Sequence, residues 1–110
     1  MTIQLTEHDG WAEIRLDREG KRNAVDRATR QAMLDAFASL RGKARAIVLT
    51  GSGAAFCAGM DLKEREQDRL AGIEGAGEHW IAVNMAIRAH PAVFIAAVNG
   101  LALGGGATLI

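Results

Sequence analysis

Two segments of this 110-residue chain concentrate its glycines, GSGAAFCAG at 51–59 and GLALGGG at 100–106. Each follows a short apolar run, ARAIVLT at 44–50 and VFIAAV at 93–98. Runs this compact and rich in branched residues read as strands covered on both faces. Glycine lets a main chain come close to a neighbour or a ligand, because no Cβ stands in the way. The chain holds 13 glycines against one proline, about 12% where about 7% is usual. The fold must therefore seat two glycine turns at the ends of buried strands. There they serve tight packing or they carry backbone N–H groups to a ligand, and spacing alone leaves both readings open.

The remaining pattern is α/β. Ile3 to Glu7 and Trp11 to Leu16 alternate apolar and polar side chains around His8-Asp9-Gly10, which predicts a β-hairpin. DREGKRNAV at 17–25 is polar and reads as an exposed loop. Met33, Leu34, Phe37 and Leu40 recur at spacings of three and four, so 27–40 is an amphipathic helix stopped at Gly42. Asp61 and Glu64 have the spacing of a capping box, with a helix expected over 62–70. Gly72, Gly75 and Gly77 interrupt it, and a second helix over 78–89 closes before Pro91. The order is β-β-α-β-α-α-β and then the start of another helix, with at least one parallel strand pair. The chain ends on apolar residues one turn into that helix, so residues 1–110 are expected to be part of a single longer domain.

Composition excludes several classes. Thirteen basic residues balance thirteen acidic ones, so no overall field attracts nucleic acid or anionic lipid. The single cysteine, Cys57, asks for no oxidising compartment, and there is neither a signal-peptide pattern nor a membrane-length apolar run. A cytoplasmic protein is expected. No cluster of Cys, His and carboxylates has metal-ligand spacing, and no metal or separate cofactor is expected. Neither glycine segment spells a P-loop or a dinucleotide fingerprint.

A reaction that puts negative charge on a carbonyl oxygen, such as removing a proton beside a thioester or adding water to a conjugated one, needs fixed donors. Two backbone N–H groups about 3 Å from one point supply them, and losing one such donor costs ~2.7–4 kcal/mol of transition-state stabilisation. A helix starting in the triple glycine would add its free N–H groups and its positive end.

GSGAAFCAGMDLKE at 51–64 and AAVNGLALGGGATLI at 96–110 closely resemble the enoyl-CoA hydratase/isomerase family, the crotonases. KRNAV at 21–25 is similar to that family's adenine-side loop. The resemblance covers nearly the whole chain and implies a crotonase (ClpP-like) ββα spiral, truncated after its first repeats. It implies an enzyme acting on acyl-CoA thioesters, with coenzyme A as part of the substrate. The oxyanion donors it implies are the N–H groups of Met60, which follows Ala58-Gly59, and of Gly105. Asp61, Leu62 and Lys63 would line the pantetheine and phosphate side, with Ala58 beside them. Ala24, with Lys21 and Arg22, would lie along the adenine and its phosphates. Family members form trimers or pairs of trimers.

One position departs from the family. Where its hydratases carry a glutamate, three residues after the middle glycine, this chain has Thr108. A threonine hydroxyl is no general base near neutral pH. Isomerases of the family work with a later carboxylate alone, at a position past Ile110. The alternative is a homologue that keeps the fold and binds CoA without catalysis; RNA binding, known for one branch, is disfavoured by the neutral charge. The family's dehalogenases use a histidine at what is here Ile81, and His79 misses that place by two. Cys57 reads as a buried filler and His90 as a helix-closing residue. Trp11 and Trp80 read as core or interface aromatics, and Met33, Met60 and Met85 as core fillers.

Overall fold

The computed structural model describes residues 2–110, the side chains of 76–78 apart. The hairpin forms where alternation places it, with β1 (Ile3–Glu7) and β2 (Trp11–Leu16) antiparallel around Gly10, whose φ is +81°. Ala12, Ile14 and Leu16 point inward and are buried. The loop that follows contains a 3-10 turn, Glu19–Lys21, and two left-handed residues, Arg22 and Asn23.

Helix α1 (Arg27–Ser39) begins at Asp26, whose carboxylate accepts from the Thr29 N–H, and buries Met33 and Phe37. It leads to β3 (Ala46–Gly51), parallel to β2, so the β2-α1-β3 unit is a crossover over one face of the sheet. β5 (Val93–Ala96) adds a second parallel neighbour, giving the order β1-β2-β3-β5. Met33, Phe37 and Leu40 of the α1 region join Ile14, Ile47 and Leu49 from the strands in one core.

Between β3 and β5 run β4 (Ala55–Cys57), α2 (Leu62–Leu70) and α3 (Ala76–Ala89). Beyond β5 come β6 (Leu101–Ala102) and the single turn α4 (Gly105–Thr108). Among the described residues no helix is long and apolar enough to cross a membrane.

Three sequence expectations are corrected here. β5 is not covered on both faces, since Val93 and Ile95 are 65% and 49% exposed; it is an edge strand, with only its inner face on the core. Gly77 does not break a helix but lies inside α3, which starts from the left-handed Gly75. Only half of the capping box forms. Asp61 accepts from the Glu64 N–H, but the Asp61 N–H is taken by the Val25 carbonyl, so the Glu64 carboxylate turns to the Arg27 N–H instead.

Candidate active site

The two glycine segments meet because each hides a strand too short to read from periodicity. β4 and β6 pair in parallel, Ala55 beside Leu101 and Cys57 beside Ala102, and the Leu103 N–H donates to the Cys57 carbonyl at 3.1 Å. The approach is close enough to require glycine. A Cβ on Gly100 would stand 1.9 Å from the Ala54 carbonyl oxygen, and one on Gly106 would stand 2.0 Å from that of Cys57. Gly59, at φ +98°, lies against the second turn: its Cβ would fall 2.9 Å from the Leu103 oxygen and 3.4 Å from the Gly105 nitrogen.

On its other edge, residues 58–61 are held by the 21–25 loop. Ala58 N–H donates to the Arg22 carbonyl, Val25 N–H to that of Gly59, and Asp61 N–H to that of Val25. In this parallel bridge the two residues flanking Met60 make the bonds, so the Met60 N–H itself is turned away from Val25. Among the described residues neither the Met60 N–H nor the Gly105 N–H donates a hydrogen bond. α4 does start in the triple glycine. Against expectation it does not offer several free donors, because the Gly106 and Ala107 N–H groups donate to the Leu103 and Gly104 carbonyls, and a single turn sums to little helix dipole.

Trp80 closes the second turn from above. Its indole lies against Gly105, where a Cβ would stand 2.5 Å from the ring, and its Nε1–H donates to the Thr108 hydroxyl at 3.0 Å. That hydroxyl in turn donates to the Gly105 carbonyl at 2.7 Å. Thr108 is thus spent on holding the turn. Trp80 is buried as expected of a core aromatic, whereas Trp11 is exposed and stacks on His8 in the hairpin turn.

A cleft of about 560 Å³ runs between the two loops. It is lined by Lys21, Arg22, Ala24, Ala58, Met60, Asp61, Leu62 and Lys63, together with Glu19 and Gly20. The structure therefore gathers the residues expected on the adenine and pantetheine side with one of the two expected donors. Gly105 is not in the lining; it lies behind Gly59, where a Cβ on Gly59 would stand 3.4 Å from its nitrogen. Lys21, Arg22 and Lys63 are exposed and enter no ion pair among the described residues. A larger open groove of about 660 Å³ follows α2 but touches neither glycine turn.

The Asp61 carboxylate is turned inward. The Glu64 N–H holds its carboxyl below the usual carboxylate range, against the opposing effect of burial, and the Arg18 guanidinium adds to this. For Asp26 burial pushes upward, but the Thr29 hydroxyl and N–H with Arg18 outweigh it and the carboxyl is again lowered. Both groups bind their proton less tightly folded than unfolded, so the folded state carries fewer protons. Their stabilisation is fully present above the unfolded carboxylate value of about 4 and is lost as pH falls through the lowered folded values. Urea midpoints between about pH 6 and about pH 3 should fall, and Asp61→Asn should shrink the fall; a flat profile would count against these pairings.

The remaining candidates are structural. Cys57 is fully buried, and burial pushes its thiol up, away from thiolate reactivity. His90 caps α3, its Nδ1 accepting from the Ala92 N–H and its Nε2 lying 2.8 Å from the Phe37 carbonyl, which fixes Nε2–H as the donor. His79 and Ile81 are exposed on α3. Met33 is fully buried, Met60 packs at the edge of the core, and Met85, against expectation, is 52% exposed, because nothing among the described residues covers its face of α3.

Sequence reasoning missed three residues. Asn23 is buried, at φ +58°, and its amide donates to the Ser52 and Ala55 carbonyls while accepting from the Arg18 N–H. Asn99 donates to the Gly53 and Ala55 carbonyls and accepts from the Gly51 N–H, tying the second glycine segment to the first. Arg18 bonds Ala24 and Asp61. The one available signal was Asn-Gly at 99–100, which reads only as a turn.

The family model described as enoyl-CoA hydratase/isomerase matches residues 6–110. A Rhodobacter capsulatus protein named "Probable enoyl-CoA hydratase" is 43% identical over 108 residues, covering 98% of this chain and 42% of that protein. The Bos taurus enoyl-CoA hydratase domain-containing protein 2, mitochondrial, is 40% identical over 105 residues, covering 93% of this chain and 36% of its own length. The crystal structure of enoyl-CoA hydratase from Bacillus anthracis superposes with a TM-score of 0.86 at 32% identity, over 99% of this chain and 44% of that one. The chain thus spans less than half the length of the relatives it matches.

Proposed function

Because the chain belongs to the enoyl-CoA hydratase/isomerase family, we propose that its cleft takes an acyl-CoA thioester and that the N–H groups of Met60 and Gly105 steady the enolate oxygen. Its fold is part of the crotonase fold of the solved enoyl-CoA hydratases. Residues 1–110 are read as the N-terminal part of one such domain, in a cytoplasmic protein that assembles as a trimer or hexamer through segments beyond this chain.

The reading rests on one observation. A Cβ on Gly59 would stand 3.4 Å from the Gly105 nitrogen, so the two turns lie side by side, and among the described residues the amides of Met60 and Gly105 donate no hydrogen bond. Lys21, Arg22 and Lys63 supply local positive charge for the phosphates of a ligand that a neutral protein does not otherwise attract. Ala24, Ala58 and Leu62 give the apolar lining between them. Coenzyme A enters with the substrate, so no resident cofactor is invoked.

Thr108 favours one reaction over another. Its hydroxyl is engaged by Trp80 and the Gly105 carbonyl, so nothing at that position removes a proton from water. Proton transfer along an allyl system by a later carboxylate fits these residues better than hydration. The same observation favours, as a second reading, a homologue that binds CoA thioesters without turnover. The test is to assay crotonyl-CoA hydration and 3-enoyl-CoA isomerisation side by side in a full-length protein containing this chain, with a saturated acyl-CoA titrated separately. Isomerisation without hydration is expected. Binding without either activity selects the second reading, and absence of acyl-CoA binding removes both. The 110 residues alone are expected to give no turnover, since the working carboxylate lies past Ile110.

A further inference from the structure

Resting on that reading of the cleft, we infer that Arg18 is a positioning residue that locks the two cleft walls, residues 21–25 and 58–61, into one unit. Its Nη1 donates to the Ala24 carbonyl at 2.6 Å and its Nη2 to Asp61 Oδ2 at 3.1 Å, with Asp26 Oδ2 3.7 Å away. One guanidinium therefore holds a carbonyl of the first wall and a carboxylate of the second. Its side chain is only 17% exposed, so water competes poorly for these bonds.

The consequence for the donor loop follows from chain order. Asp61 comes directly after Met60. The peptide before Met60 is pinned by Val25 N–H on the Gly59 carbonyl, and the residue after it is pinned twice, through its N–H to the Val25 carbonyl and through its carboxylate to Arg18. The Met60 N–H, which makes no bond of its own among the described residues, is aimed by its neighbours. Asp26 and Asp61 are also the N-caps of α1 and α2, so the same guanidinium fixes how both helices leave the cleft. A lysine cannot replace it, because one ammonium on a flexible stem does not present a planar fork to two acceptors at once.

Two measurements on Arg18→Gln, Arg18→Lys and Asp61→Asn test this. Asparagine still caps a helix, so the last variant weakens the link to Arg18 while keeping the cap. In hydrogen exchange on the chain, the Val25, Ala58 and Asp61 amides should exchange roughly tenfold faster in both Arg18 variants, with the β2–β3 ladder unchanged. In the full-length protein, affinity for a saturated acyl-CoA should fall roughly tenfold, and Arg18→Gln with Asp61→Asn together should lose little more than the worse single change. Unchanged exchange at the three amides, an equal acceleration everywhere, or fully additive losses would overturn the assignment. If the unmodified protein binds no acyl-CoA, the reading of the cleft fails, and the exchange result still decides the role of Arg18.

Discussion

Gly100→Ala is expected to leave the chain close to unfolded, and Gly106→Ala to do nearly the same. At both positions the added Cβ meets a backbone oxygen, of Ala54 at 1.9 Å and of Cys57 at 2.0 Å. Overpacking a core typically costs ~1–3 kcal/mol when side chains can move aside. Here the obstacle is the β4 main chain, which β6 pairs with and which two buried or bridging asparagines also hold. The cost should therefore exceed ~3 kcal/mol, a large share of the ~5–15 kcal/mol that a domain has in total. Gly42→Ala is the comparison. Its φ is +76° but nothing stands within 4 Å of the new Cβ, so only the backbone strain of ~1–2 kcal/mol remains. Urea midpoints measured side by side should rank the three in that order. Gly100→Ala unfolding within ~1 kcal/mol of the parent would mean that the two turns do not pack as described.

Asn23→Ala should be the most damaging single change in the 21–25 loop, at ~3 kcal/mol or more. The side chain is 1% exposed and makes three hydrogen bonds that connect the loop, the start of the 3-10 turn and the first glycine segment. Alanine leaves the Ser52 carbonyl and the Arg18 N–H without that partner, while Ala55 keeps its bond from Asn99. It also has to adopt a φ of +58°, which asparagine tolerates better. Asn23→Gly separates the two costs, since glycine relieves the backbone but restores no hydrogen bond. It should recover ~1 kcal/mol of the loss and no more. Equal stability of the alanine variant and the parent, by thermal or chemical unfolding, would show that the amide is not the bracket proposed.

The parts of this fold that were legible in the sequence are those written in local pattern. Alternation located β1 and β2 to the residue, and the cap at Asp61 located α2, because both signals lie within a few positions of what they specify. β4 and β6 were invisible for the converse reason. Strands of three and two residues have no period, and their pairing is decided by glycines more than forty positions apart. Arg18 and Asp61 are likewise 43 residues apart, so nothing near either one announces the bond. For the candidate site, the resemblance to a family supplied the donor and cleft residues, and the structure brings eight of those nine to one cleft. Composition could have said only that two glycine turns follow two strands. The exposed outer face of β5 was misread because its uniformly apolar run looks the same whether one face is covered or two.

Two main-chain amides from separate turns that serve one oxygen should both respond to the same ligand. The most direct measurement is a ¹⁵N–¹H titration of the protein with a saturated acyl-CoA, following the Met60 and Gly105 amides. Both are expected to move downfield together and to saturate with the binding curve, as two donors sharing one carbonyl must. Saturation of the ligand that leaves either amide where it began would contradict this shared role.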